Sequence, residues 1–199
     1  MLGAWFFAIC IFCPWNFARA DDDVSTQHNN LSRTGATLKE GTLKVKNVNT
    51  NQFGLLFTRA VDDQIYAQPL IAAKVHIPGV GKRNLVIVAT VNDTVYAFDA
   101  DKAAVSAPYW QVSFLNANAV PPRNTDMALA CGGNYHDFSG NIGIASTPVI
   151  DPKKEILYVL ARTKEFGNVF VQRLHALDLH TGAELPNSPV TANNQLGDD

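Results

Sequence analysis

The side chains best suited to chemistry in this 199-residue chain fall in one stretch, residues 116–141, which carries Arg123, Asp126, Cys131, Gly132, His136 and Asp137. Cys131 with His136 and Asp137 offers a nucleophile and a base, since a thiol is activated by a neighbour that takes its proton. The same cysteine and histidine are also two of the four ligands a zinc ion would want, but two further ligands of convincing spacing are missing. A single loop cysteine near a histidine is more often incidental than reactive, so no catalytic residue and no metal ligand is assigned. Arg123, Asp126, His136 and Asp137 stay as a candidate ligand loop. The stretch runs to 26 residues, and loops of that length in compact domains are usually functional or disordered.

What must position such a loop is a pattern the chain uses twice. Ala67-Gln68-Pro69-Leu70-Ile71, an apolar run over 85–90 and Val95-Tyr96-Ala97-Phe98-Asp99 form the first copy. Ser146-Thr147-Pro148-Val149-Ile150, an apolar run over 156–161 and Leu174-His175-Ala176-Leu177-Asp178 form the second. Pro69 and Pro148 are 79 residues apart, and so are Asp99 and Asp178. Repeated short strands mark a propeller or solenoid, in which one unit cannot bury its own apolar face.

The expected strands of the first unit cover 70–77, 85–91, 94–98 and 109–114, after a short apolar run at 55–61. Asn92-Asp93 is expected to make a two-residue type I′ hairpin, because both tolerate positive φ. The second unit is expected to use 144–150, 155–162 and 169–177 and to close at Asp178-Leu179-His180-Thr181-Gly182. Four antiparallel strands joined by tight turns make one propeller blade. Asp99 and Asp178 read as turn-makers, their carboxylates accepting backbone N–H bonds. His175 occupies the repeat position of Tyr96 and reads as a packed histidine with one nitrogen satisfied. His28, His76 and His180 receive structural readings too, and Trp110 reads as packing between units.

Net charge is −2 and charged residues are 17% of the chain. No basic stripe is present, so nucleic acid is not an expected partner. Residues 2–17 are apolar and aromatic, and Ala18-Arg19-Ala20 precedes Asp21-Asp22-Asp23. That pattern fits a signal peptide over 1–20 cleaved after Ala20, and sixteen residues interrupted by Pro14 fall short of the roughly 20 a membrane span needs. Export to the periplasm or the medium is therefore expected, with no transmembrane span left after cleavage. Cleavage would remove Cys10 and Cys13 and leave Cys131 without an internal disulfide partner. Residues 21–56 read as a polar, extended N-terminal arm packed across the outside, and 57–199 as the first blades of an incomplete ring.

These repeats resemble the pyrroloquinoline-quinone (PQQ) repeat of the quinoprotein alcohol dehydrogenase-like β-propellers. The matching pieces are Pro69 and Pro148, Tyr96-Ala97-Phe98-Asp99 followed by Trp110, and His175-Ala176-Leu177-Asp178 followed by Thr181-Gly182. The lead-in Gln27-His28-Asn29-Asn30 with Arg33-Thr34-Gly35 is similar to that of a secreted bacterial subgroup. The resemblance covers roughly residues 57–190. It implies an all-β fold, about two four-stranded blades of a seven- or eight-bladed ring. Two blades leave open sheet edges, so the missing blades are expected from a longer chain.

The resemblance also implies where a cofactor would pack. Quinoprotein dehydrogenases hold PQQ against an adjacent cysteine pair in the comparable stretch, and this chain offers Cys131 followed by Gly132. One thiol cannot make that ring. The expected function is accordingly an exported, non-catalytic binding or scaffold module for a protein, glycan or small ligand, with no cofactor. The alternative is the N-terminal part of a dehydrogenase oxidising alcohols or sugars with PQQ and Ca²⁺, its catalytic residues outside this chain.

Overall fold

Residues 23–38, 40–127, 138 and 140–192 are described by a computed structural model, and among them the regular elements are β-strands apart from one 3₁₀ turn. The signal-peptide reading of 1–20 lies outside these residues. The first sheet is a four-stranded antiparallel meander of β1 (Leu70–Ile77), β2 (Gly81–Ala89), β3 (Thr94–Asp99) and β4 (Trp110–Ser113). The second is five-stranded and antiparallel. It contains β5 (Ala119–Val120), β6 (Val149–Asp151), β7 (Ile156–Glu165), β8 (Val169–Asp178) and β9 (Val190–Ala192), ordered β5-β7-β8-β9 with β6 also on β7.

The fifth strand was not expected, and β7 explains it. At ten residues β7 is too long for one short partner, so β6 pairs with its start (Val149↔Tyr158) and β5 with its end (Ala119↔Glu165). The two sheets otherwise follow one register. Leu70, Ile87, Ala97 and Trp110 lie in a row across the first sheet. Val149, Tyr158 and Ala176 lie in the matching row of the second.

Continuous apolar runs in β2 and β3 are explained by cover on both faces. One face of the first sheet, with Leu70, Leu85, Ile87, Val95, Ala97 and Trp110, packs on Ile150, Leu157, Val159, Ala161 and Leu177 of the second. The opposite face holds Val88, Tyr96 and Phe98, with Val61 against them. The apolar run at 55–61 therefore supplies cover rather than a strand, and Leu55 and Leu56 stand exposed.

The matched aspartates build the same turn twice. Asp99 accepts from the Asp101 and Lys102 amides at 2.8 and 2.7 Å, and Asp178 from the His180 and Thr181 amides at 2.9 Å each. The Trp110 indole N–H then donates to the Leu179 carbonyl at 3.0 Å, laying the ring on the second turn. Gln68 and Thr147, equivalent residues ahead of β1 and β6, also meet: the Gln68 amide donates to Thr147 Oγ1 at 3.0 Å.

Most of the arm from residue 31 to 56 is exposed, but its start is inserted between the sheets. Val24 exchanges backbone hydrogen bonds with Ile71 at 2.9 and 3.1 Å, and the Ser25 carbonyl accepts from Ile150 N–H at 2.7 Å. Val24 and Ser25 thus run between the first strands of both sheets, where they satisfy edge groups that would otherwise need water.

Gly182 sits at φ +73°, and a Cβ there would lie 2.7 Å from the indole of Trp110. Gly79 has a similar φ of +72° with open space around it. Gly182→Ala should therefore lose about 1 kcal/mol for backbone strain plus roughly 1–3 kcal/mol for overpacking, and Gly79→Ala the first part alone. Urea unfolding of both variants checks this; equal losses would mean that the indole does not rest on that turn.

Candidate functional site

One end of the two sheets gathers the polar groups that make up the candidate site. It is formed by the β2–β3 turn, the start and end of the long loop, and the tip of the β7–β8 hairpin. The turn is a three-residue loop, Val91–Asp93, closed by the Thr90 amide on the Thr94 carbonyl at 2.9 Å. It is not the expected two-residue type I′ turn, which needs positive φ at both central residues; only Asp93 has it, at +54°.

Asp62 faces this turn and collects three side-chain donors: Thr90 Oγ1 at 2.7 Å, Asn92 Nδ2 at 2.9 Å and Thr94 Oγ1 at 2.6 Å. Burial works against its ionisation, but these bonds outweigh it and hold the carboxyl below its ordinary range. Asp62 is a brace for the turn, fully committed to local donors.

Asp93 is the opposite case. It is completely buried, and neither carboxylate oxygen has a hydrogen-bond partner. Burial drives its pKa up to about 8; the Arg162 backbone N–H opposes this and the Asp62 charge adds to it. Gly143 is packed so closely that any Cβ there would overlap the carboxyl, while its amide donates to the Val91 carbonyl at 2.9 Å. A glycine is needed because the loop's returning segment crosses the turn at backbone contact distance.

The loop's two ends are ordered and tied down. Past β5 a 3₁₀ turn spans Asn124–Met127, and Arg123 forms a bridge with Asn141. Asp126 accepts the Arg123 amide at 2.7 Å and the Lys164 ammonium at 2.6 Å. Burial opposes ionisation of Asp126, yet the Lys164 and Arg123 contacts hold its carboxyl below the ordinary range. Asn141 receives the Arg123 guanidinium at 3.4 Å and donates to Asp63 at 2.7 Å. Of the sequence-nominated loop residues, Arg123 and Asp126 are therefore brought together. Cys131, Gly132, His136 and Asp137 lie outside the described residues.

Between loop and hairpin lies a cleft of about 230 Å³ lined by Met127, Phe138, Ile142, Leu160, Arg162 and Gln172, among others. Its walls are mostly apolar. Arg162 and Gln172 are cross-strand partners on one face of the hairpin, and the guanidinium sits 5.5 Å from the Phe170 ring centroid. On the other face Arg173 pairs with Glu165 in a bidentate bridge that holds the glutamate ionised.

Other residues singled out by the repeat have structural partners. His175 is buried, stacks on Phe114 at 3.8 Å between centroids and meets Glu184 at 2.9 Å through Nδ1. Burial lowers its pKa against the opposing pull of Glu184. His180 spans the His76 carbonyl at 2.8 Å and Glu155 at 3.0 Å. Among the described residues no three metal-ligating side chains come together, and no helix is long and apolar enough to cross a membrane. Asp62, Asp93, Arg162 and Gln172 were not nominated from sequence. The only sequence trace of the last two is that the apolar run of β7 starts 71 residues after that of β2, eight short of the repeat step. No protein-family model, curated protein or solved structure matches this chain.

The raised pKa of Asp93 makes a pH statement with a definite sign. Folded protein keeps the proton down from pH 8 to about 4 while unfolded chain releases it, so stability falls as pH rises through that window and its contribution is gone above pH 8. Asp93→Asn stays neutral throughout. It should match the wild type near pH 4 and exceed it by a few kcal/mol at pH 8.5, on the scale of about 1.4 kcal/mol per pKa unit. Denaturant midpoints across pH 4–9 measure this; parallel curves for the two proteins would rule out a buried neutral Asp93.

Proposed function

We propose that this chain is the N-terminal part of an exported β-propeller of the PQQ-repeat type, working as a non-catalytic binding module whose loop-bearing end is the binding face. The propeller part rests on how the sheets are used. The row Leu70-Ile87-Ala97-Trp110 of the first sheet covers the opposite face of the second. The same face of the second sheet, with Tyr158, Leu160 and Leu174, points away from the first, and Leu160 and Leu174 are 37% and 44% exposed. One face of each unit laid on the other face of the next is a heterologous arrangement, which closes into a ring when the rotation allows.

The single observation carrying the binding reading is the loop clamp. The connection from β5 to β6, residues 121–148, is the longest between strands of the described sheets, and its start is fixed to an extended hairpin by the Lys164–Asp126 pair. Rigid scaffolds that present long loops are where recognition residues concentrate. Under this reading the Cys131-Gly132 step, in place of a cysteine pair, leaves the loop without quinone-packing sulfur chemistry.

Glycan, peptide and small-molecule arrays probed with the full chain test the reading directly. At least one class should bind, and Lys164→Ala should weaken that binding by tenfold or more by releasing the loop. Undiminished binding by Lys164→Ala would move the site elsewhere. Robust dye reduction on adding PQQ and Ca²⁺ with an alcohol or sugar would replace the binding module by the dehydrogenase.

A further inference from the structure

The β7–β8 hairpin is longer than its counterpart. Pairing in the first sheet ends at Ala89↔Val95, which corresponds to Leu160↔Leu174 in the second. The second hairpin then continues through Ala161↔Arg173, Arg162↔Gln172, Thr163↔Val171, Lys164↔Phe170 and Glu165↔Val169. Those added pairs are flanked by β5 at Lys164 and Glu165 and by β9 at Gln172 and Arg173, so the second sheet is taller at this end, and a following sheet with the height of the first would cover Tyr158 and Leu160 without reaching Arg162.

The cations on this extension are used differently. Lys164 is paired with Asp126 and Arg173 with Glu165. Arg162 has no ion pair among the described residues, and its Nε is shielded from solvent without an acceptor. A buried guanidinium N–H with no partner forfeits hydrogen-bond energy that an incoming acceptor would restore. Arg162 also lines the cleft, beside Leu160 on the same face of β7 and together with Met127, Phe138 and Ile142, with Gln172 and Ser146 as additional polar groups. Apolar walls with a few convergent polar groups are the usual make-up of a small-molecule site. At about 230 Å³ the cleft falls below the roughly 300–1,000 Å³ of drug-sized pockets, which limits the occupant to a small ligand.

We propose that this cleft binds a small monoanionic ligand, a carboxylate carried on an apolar body, with Arg162 taking the carboxylate and the Met127–Ile142–Leu160 wall taking the apolar part. The assignment deepens the binding-module reading and rests on it. A planar guanidinium offers parallel N–H donors that match a carboxylate, which a neutral hydroxyl cannot use in the same way. Lys164, already neutralised by Asp126, does not compete for the anion.

Calorimetric titration of the full chain with octanoate, octanol and octylamine tests the assignment. Octanoate should bind best, and Arg162→Met should weaken it at least tenfold while leaving octanol unchanged. In the wild-type protein, NMR contacts from octanoate to the Met127 and Ile142 methyl groups are expected, a readout that does not depend on how the variant folds. Equal octanoate affinity in wild type and Arg162→Met overturns the assignment, as do contacts confined to another surface. Octanol binding as tightly as octanoate overturns the anion preference and leaves the binding module standing. Absence of binding by all three probes overturns the cleft as a small-ligand site; the binding module itself fails only if the arrays are also negative.

Discussion

The Trp110 indole resting on the Asp178–Gly182 turn fixes how one sheet sits on the next, and the other parts of the molecule take their places from that contact. The ring is large, buried and hydrogen-bonded to the Leu179 carbonyl, so it sets both distance and direction between the sheets. The turn that receives it is shaped by the Asp178 carboxylate, which holds the His180 and Thr181 amides, and by Gly182, which leaves room for the ring. With that end fixed, Leu70, Ile87 and Ala97 fall opposite Ile150, Leu157 and Leu177 and form one shared core. Burial of such side chains, at about 25 cal/mol per Å² of apolar surface, is what a single sheet of this kind cannot achieve by itself.

At the opposite end the same stacking creates a crowded junction. The β2–β3 turn, the returning loop at Gly143 and the β7 backbone converge on the Asp93 carboxyl, which therefore stays protonated through neutral pH. Two aspartates two turns of chain apart meet contrary fates here. Asp62 is surrounded by hydroxyl and amide donors and remains charged, whereas Asp93 has only the Arg162 backbone N–H to set against its burial. Isolated buried charge is far more costly than a buried neutral acid, and that difference decides the protonation state. Met127, Phe138 and Ile142, from the described parts of the loop, line the Arg162 cleft, so the packing of the sheets and the shape of the candidate site share a cause.

Much of this was legible in the residues. The 79-residue step between Pro69 and Pro148 and between Asp99 and Asp178 announced two related sheets, and the strands lie within a few residues of the apolar runs. Trp110 and the Asp178 turn were marked as repeat features. Less visible was anything that depends on pairing rather than on pattern. The split first strand of the second sheet arises because β7 outruns β6, and β5 has only two residues with which to signal itself. The arm reads as solvated because its sequence is polar, and most of it is exposed; what the pattern does not reveal is that the backbone of Val24 and Ser25 bonds to Ile71 and Ile150. Asp93 looked like an ordinary turn residue, since nothing local reveals that Gly143 will be pressed against it. Arg162 carried one faint trace: the eight-residue shortfall before β7 is repaid by the longer hairpin, which returns Asp178 to phase.

The claim that equivalent positions of the two units lie side by side is open to a direct measurement. Gln68 and Thr147 are 79 residues apart in sequence, and the amide of one is 3.0 Å from the hydroxyl of the other. Cysteines placed at both positions, with Cys10, Cys13 and Cys131 replaced by serine, should form an intramolecular disulfide under mild oxidation, detected by mass spectrometry after digestion. Absence of that bridge, or bridges only between chains, would contradict the stacked arrangement of the sheets and with it the site built upon them.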